Sequence, residues 1–231
     1  YQEMVQRIDF SKYESIKQYI EPVLINTKAN RKLLSQMPHE KREDLSLVYK
    51  LILPNTSENS RASVRITNEM IARWGIHTKE LHEVALENVT RRQPAVLQEL
   101  ETALVESYMG KSATENLLKK EYTLDDGEMF VLSNEERVNG AVVLAYPDLL
   151  KRVDEKFENG YYILPSSIHE CMIVPKRGKS PEELGEMVRI VNTIVEDREE
   201  ILSDRVYEFD RERNCLCQVA ASIDRGREME R

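Results

Sequence analysis

Glycine and proline are scarce, eight of each in 231 residues. That excludes collagen-like and low-complexity chains. The glycines stand singly, so no glycine-rich loop is available to cradle a phosphate, which weighs against nucleotide hydrolysis. Cysteine is limited to Cys171, Cys215 and Cys217, too few for a disulfide framework. On a strand, Cys215 and Cys217 share a face, where a bridge between them would be badly strained. Free thiols in a reducing compartment are expected, and with them a cytoplasmic location. The longest apolar run, Ala141–Tyr146, is far short of the roughly 20 residues that span a bilayer. The Gly-x-Ser-x-Gly elbow, His-Glu-x-x-His and Cys-x-x-Cys are all absent. With four histidines in all and no ligand-like spacing among them, neither a metal nor another cofactor is expected.

What is present is a charged, core-forming chain: 41% hydrophobic, 32% charged, with a net charge of −8. Apolar residues recur in regular patterns, so the chain is not globally disordered. The charge is uneven: 18 basic and 16 acidic residues up to position 120, then 15 basic and 25 acidic. Phosphate backbones repel such a second half, and no basic groove with interleaved aromatics is visible, so nucleic acid is not an expected partner. The acidic run Glu196, Asp197, Glu199 and Glu200 is a candidate interaction surface for a protein with a basic face; its bland reading is solvated surface. Nothing in the sequence fixes an oligomeric state.

Periodicity gives the elements. Tyr13, Ile16, Tyr19 and Ile20 form the stripe of a helix from Ser11, with Ser11 and Glu14 as a reciprocal cap. Pro22 ends it, and Val23–Ile25 is a short link. Thr27–Gln36 reads as a second helix. Leu45, Leu47, Tyr49 and Leu51 alternate as a strand over 44–53, and Ala62, Val64 and Ile66 as its antiparallel neighbour across a 54–60 turn. Thr67 caps a helix stopped by Gly75, and Thr78 caps the next. Residues 93–120 read as helical with a break at 108–112. Strands follow at 129–132, 140–146, 161–164, 168–174, 206–209 and 215–219. Helices start at Pro147 and at Ser180-Pro181. Hairpins and helices without regular βαβ alternation predict an α+β fold, antiparallel hairpins packed on helices. One unit spans 1–231, divided into lobes 1–110 and 121–221 that each carry a strand-turn-strand-helix segment; 222–231 is a charged, fraying tail.

Several segments together resemble a family of uncharacterised bacterial proteins, domain of unknown function 5688, mainly from gut anaerobes. They include Leu24-Ile25-Asn26 with Asn30, Met37-Pro38-His39, Asp44-Leu45 with Val48-Tyr49, and Ile66-Thr67-Asn68. Trp74-Gly75-Ile76, Glu80-Leu81-His82, Val131–Asn134, Gly140-Ala141, Tyr161–Glu170 and Leu202-Ser203-Asp204 extend the likeness over nearly the whole chain. The resemblance implies a soluble bacterial domain and adds no activity. It also implies a further N-terminal segment before Tyr1.

The densest polar cluster is Ser166-Ser167-Ile168-His169-Glu170. Ser167, His169 and Glu170 are the residue types of a nucleophile, base and orienting acid. On a strand, Ser167 and His169 share a face and Glu170 points away, so the segment is no self-contained triad. As a hairpin turn, its hydroxyls would serve backbone groups instead. Asn134, Ser166 and Asp204 are candidate ligand-binding residues beside it. Two readings follow: a non-enzymatic interaction or regulatory domain, and a hydrolase or small-ligand binder built on 166–170.

Overall fold

The computed structural model describes residues 9–53, 62–109, 115–125, 127–165, 167–195 and 197–219. The expected 54–60 turn, the break near Gly110, the 222–231 tail, Ser166 and Glu196 lie outside them. The chain forms helices and two antiparallel sheets, an α+β fold. No helix among the described residues is long and apolar enough to cross a membrane.

The first sheet is built on β3 (Leu45–Ile52). Strand β1 (Ile20–Asn26) runs along one side of it, pairing Ile20 with Leu51 through to Asn26 with Leu45. β2 (His39–Arg42) and β4 (Ser63–Arg65) share the other side, opposite 45–48 and 50–52 respectively. Pro22 does not stop a helix; it lies buried inside β1, opposite Tyr49. An edge strand has a side with no partner, where a missing N–H costs nothing. The expected Ser11–Ile20 helix shrinks to α1 (Tyr13–Ile16) and a 3₁₀ turn. Ser11 caps nothing, because its hydroxyl donates to Asp9. The expected 27–36 helix is one turn, α2 (Arg31–Leu34).

The second sheet has six strands in the order β10-β9-β7-β8-β6-β5. They are β5 (Ala95–Glu99), β6 (Phe130–Asn134), β7 (Tyr161–Leu164), β8 (Cys171–Pro175), β9 (Tyr207–Asp210) and β10 (Cys215–Gln218). β5 corrects the helical reading of 93–99: Val96, Leu97 and Gln98 are buried in the ladder with β6. Helix α5 (Leu100–Met109) begins only after it. β5 pairs with β6, which joins residues from either side of the 110–125 interval in one sheet.

Period-2 alternation puts a core on each face of this sheet. Tyr161, Ile163, Cys171 and Ile173 join Phe130, Leu132 and the first sheet's Leu24, Leu45 and Leu47 in the main cluster. Leu164 and Val174 point the other way, onto Leu184 and Val188 of helix α7 (Pro181–Ile194). Each such side chain stabilises by about 1.5–3 kcal/mol on full burial. A smaller cluster, with Tyr13, Ile16, Tyr49 and Leu51, packs under α3 (Asn68–Trp74) and α4 (Thr78–Arg92). Thr67 Oγ1 accepts the Met70 N–H at 3.3 Å, and Gly75 closes α3 at φ 70°, both as expected. Ser180 likewise caps α7 through the Glu183 N–H. Thr78 is not a cap; His77 holds that position without a side-chain bond.

Residues 140–146, expected as a strand, form a buried 3₁₀ turn, Gly140–Ala145, before α6 (Leu149–Asp154). Gly140 dictates this approach: a Cβ there would stand 2.0 Å from Ser133 Oγ and 2.3 Å from the His169 carbonyl oxygen. The 168–174 strand begins only at Cys171, because the backbone of Ile168 bonds Glu200 and Ala141 instead of a ladder partner.

Candidate functional site

Asp44, just before β3, is the hub of a polar network that ties the two sheets together. Its carboxylate accepts from the Ser203 hydroxyl at 2.8 Å, the Gln218 amide at 2.7 Å and the Tyr207 hydroxyl. The Arg205 N–H donates to Ser203 Oγ at 3.1 Å. Asn26, at the end of β1, adds a bond from its amide to the Leu202 carbonyl. Burial pushes the Tyr207 hydroxyl far up, so it stays protonated and donating.

Above this network lies a cleft of about 810 Å³, within the usual range for a small-molecule site. Asp44, Gln218 and Asn26 form part of its floor; α7 contributes Arg189, Asn192 and Thr193, and the following loop Arg198, Asp204 and Arg205. Asn192 is 4% exposed. Its amide nitrogen donates to the Ser203 carbonyl at 3.1 Å and to Asp204 Oδ1 at 2.7 Å. Two acceptors on one side fix the amide's orientation. Its Oδ1 is left buried with no hydrogen-bond partner, at a cost of about 1–3 kcal/mol.

Lys28, Arg189, Arg198 and Arg205 line the same cleft, against the two carboxylates Asp44 and Asp204. None of the four cations has a side-chain hydrogen bond or ion pair among the described residues. Asp204 and Asp44 are already engaged, the first by Asn192 and the second by its three donors.

The 167–170 segment is arranged differently. Ser167 Oγ accepts the backbone N–H of His169 at 3.0 Å, the geometry of a serine turn. No hydrogen bond joins that hydroxyl to the imidazole. His169 Nδ1 accepts the Asn139 N–H at 3.2 Å, and its Nε2 lies 3.5 Å from Glu200. Asn134 is buried in β6, donating to Gln93 and Val138. Glu170 flanks β8. Of the sequence candidates among the described residues, only Asp204 lines the cleft. In the acidic run, Asp197 and Glu199 are exposed, Asp197 accepting the Glu199 N–H, while Glu200 faces His169. No group of three or more His, Cys, Asp or Glu that could hold a metal occurs among the described residues.

The cleft escaped sequence reading because its residues come from four distant segments. The available signal was Arg189, Arg198 and Arg205, scattered through the most acidic part of the chain and masked by its net charge.

Taken together, these features define an α+β domain with a polar cleft where its two sheets meet. The chain belongs to a family of unknown function, DUF5688, whose model matches residues 2–211. No curated protein and no solved structure matches it.

Proposed function

We propose that this protein is a non-enzymatic regulatory domain that binds a small molecule in the cleft between α7 and the Asp44 network. The observation that carries the reading is Asn192: a side chain in the cleft wall, locked by two bonds, with a buried acceptor left unmet. A buried polar group left unsatisfied in a native fold calls for a specific explanation, and a molecule held beside it is one. The network beneath it supplies a rigid floor, as ligand sites require. Among the described residues that line the cleft there is no histidine or cysteine. Ser203 is held by Asp44, and Tyr207 is too firmly protonated to act as a base, so the chemistry favours holding a ligand over transforming one.

The test is a thermal-shift screen of a metabolite library against the wild-type chain and Thr193→Trp. Thr193 is exposed and lines the cleft, so the indole fills it without disturbing the core. Stabilising compounds that lose their effect in Thr193→Trp support the reading. No hits, or hits indifferent to the substitution, overturn it.

A protein-interaction role remains a second reading, and one observation favours it. On the side of α7 away from the cleft, Ile190, Val191 and Ile194 are exposed, Ile194 at 75%, beside the exposed Asp197 and Glu199. Reversing Asp197 and Glu199 to lysine should weaken capture of a partner with a basic face. Undiminished capture of such a partner would remove the acidic run from the account.

A further inference from the structure

The charge of the cleft specifies what it holds. We propose that the ligand is a small phosphate monoester of a polyol, an inference that rests on the binding reading above and adds its chemical class. Among the described residues, four cations and two carboxylates line the cleft, a surplus of two positive charges in a chain whose net charge is −8. Three of the cations are arginines, and none has a side-chain partner among the described residues. Guanidinium groups in fold-stabilising roles are usually tied to carboxylates, as Arg137 is to Glu106 at 2.9 Å and Arg211 to Asp154 at 2.7 Å in this same chain. Three left open around one hollow present forked donors to a tetrahedral anion with several acceptor oxygens.

The surplus matches a phosphate monoester, which carries about −1.5 to −2 near pH 7. A carboxylate would offset only half of it. Arg189 and Arg205 also border an adjoining groove that holds Glu183 and Glu186, yet among the described residues no ion pair joins them to these two carboxylates. The volume, about 810 Å³, exceeds what a bare phosphate fills. The remaining lining is mixed: Asn26, Thr193, Asp204 and Gln218 offer acceptors and donors to hydroxyl groups, beside the apolar Ala29 and Ile201, which suit the carbon skeleton of a polyol. A sugar or glycerol phosphate meets both demands. A nucleobase would want an aromatic side chain to stack on, and none of the described lining residues is aromatic.

The experiment is isothermal titration of the full chain at low ionic strength with two matched pairs: ribose 5-phosphate against ribose, and glycerol 3-phosphate against glycerol. At least one phosphorylated member should bind while its neutral counterpart does not. Arg189→Gln and Arg205→Gln should each weaken that binding about tenfold or more, as expected for a lost charged hydrogen bond. Arg73→Gln, an exposed arginine on α3 outside the cleft, should leave it unchanged. Equal binding of neutral and phosphorylated members, indifference to both arginine substitutions, or binding of neither phosphate overturns the ligand class. The Thr193→Trp screen answers separately whether the cleft binds anything, so the two failures are distinguishable.

Discussion

Substituting Gly140 by alanine is a demanding test of the packing described above. Its Cβ would meet Ser133 Oγ at 2.0 Å, the His169 carbonyl oxygen at 2.3 Å and the Asn134 nitrogen at 3.0 Å. The serine can rotate away, but only by giving up its 2.7 Å bond to the His169 carbonyl. The other two atoms are backbone, so β6 and the 168–170 segment must separate. The Ala141 N–H, which donates to the Ile168 carbonyl at 3.1 Å, is at risk with them. Overpacking of this kind costs about 1–3 kcal/mol, and each lost hydrogen bond about 1 kcal/mol more. The expected loss is about 3–5 kcal/mol, a large share of the roughly 5–15 kcal/mol of a typical domain. At roughly 2–4 °C per kcal/mol for a chain of this size, Tm should fall by about 10 °C. Gly185→Ala supplies the opposite sign. It lies within α7, and its Cβ would make ordinary contacts with Arg189 Nη1 at 3.5 Å and Val206 Cγ2 at 3.7 Å. Alanine there should add up to about 1 kcal/mol through helix propensity. Scanning calorimetry of the two variants reads both. A Gly140→Ala variant melting within a degree of wild type would refute the close approach of the 3₁₀ turn to β6.

Three further outcomes follow from individual contacts. Asp44→Ala strips the acceptor from Ser203, Gln218 and Tyr207 and should cost about 3 kcal/mol in urea unfolding; a loss under 1 kcal/mol would show that the network does not join the sheets. Arg137→Met leaves Glu106, 8% exposed, without its guanidinium, and should destabilise by about 3 kcal/mol, whereas an unchanged midpoint would contradict that pairing. Burial lowers the His82 pKa below 6.5 despite the Glu40 carboxylate beside it, and Tyr49 bonds its Nδ1 at 3.0 Å. The ring is therefore neutral in the fold, while the unfolded chain takes up a proton near pH 6.5. Its contribution is full above that pH and is lost as pH falls through the folded value. The decline in Tm below pH 6.5 should be shallower in His82→Gln than in wild type, and parallel slopes would remove His82 from the pH response.

How much of this was legible from sequence depends on whether the controlling interaction is local. β3, β4, α3 and α7 were readable because their signals sit within a few residues: alternation from Leu45 to Leu51, Thr67 and Gly75 around one helix, Ser180-Pro181 at the start of another. β5 was missed because Val96, Leu97 and Leu100 fit a helical stripe as well as a strand. What decides the matter is the distant ladder with β6. Pro22 concealed β1, since only the knowledge that β1 is an edge strand makes the proline acceptable. Gly140–Ala145 carries an apolar run that suits a strand, but the missing Cβ at Gly140 lets the turn press against β6. The site was hidden for the same reason. Ser167 and His169 drew attention by proximity in sequence, while Asp44, Arg189, Asn192 and Arg205 converge only through the meeting of two sheets.

The central claim is that the cleft beside Asn192 is the binding site. Chemical-shift mapping of the isotope-labelled chain tests it most directly, with a stabilising compound from the screen added in steps. The account predicts that the Asn192 side-chain amide and the backbone amides of 189–193 and 203–205 move together and saturate. Shifts confined to 167–170, with those amides unmoved, would contradict it.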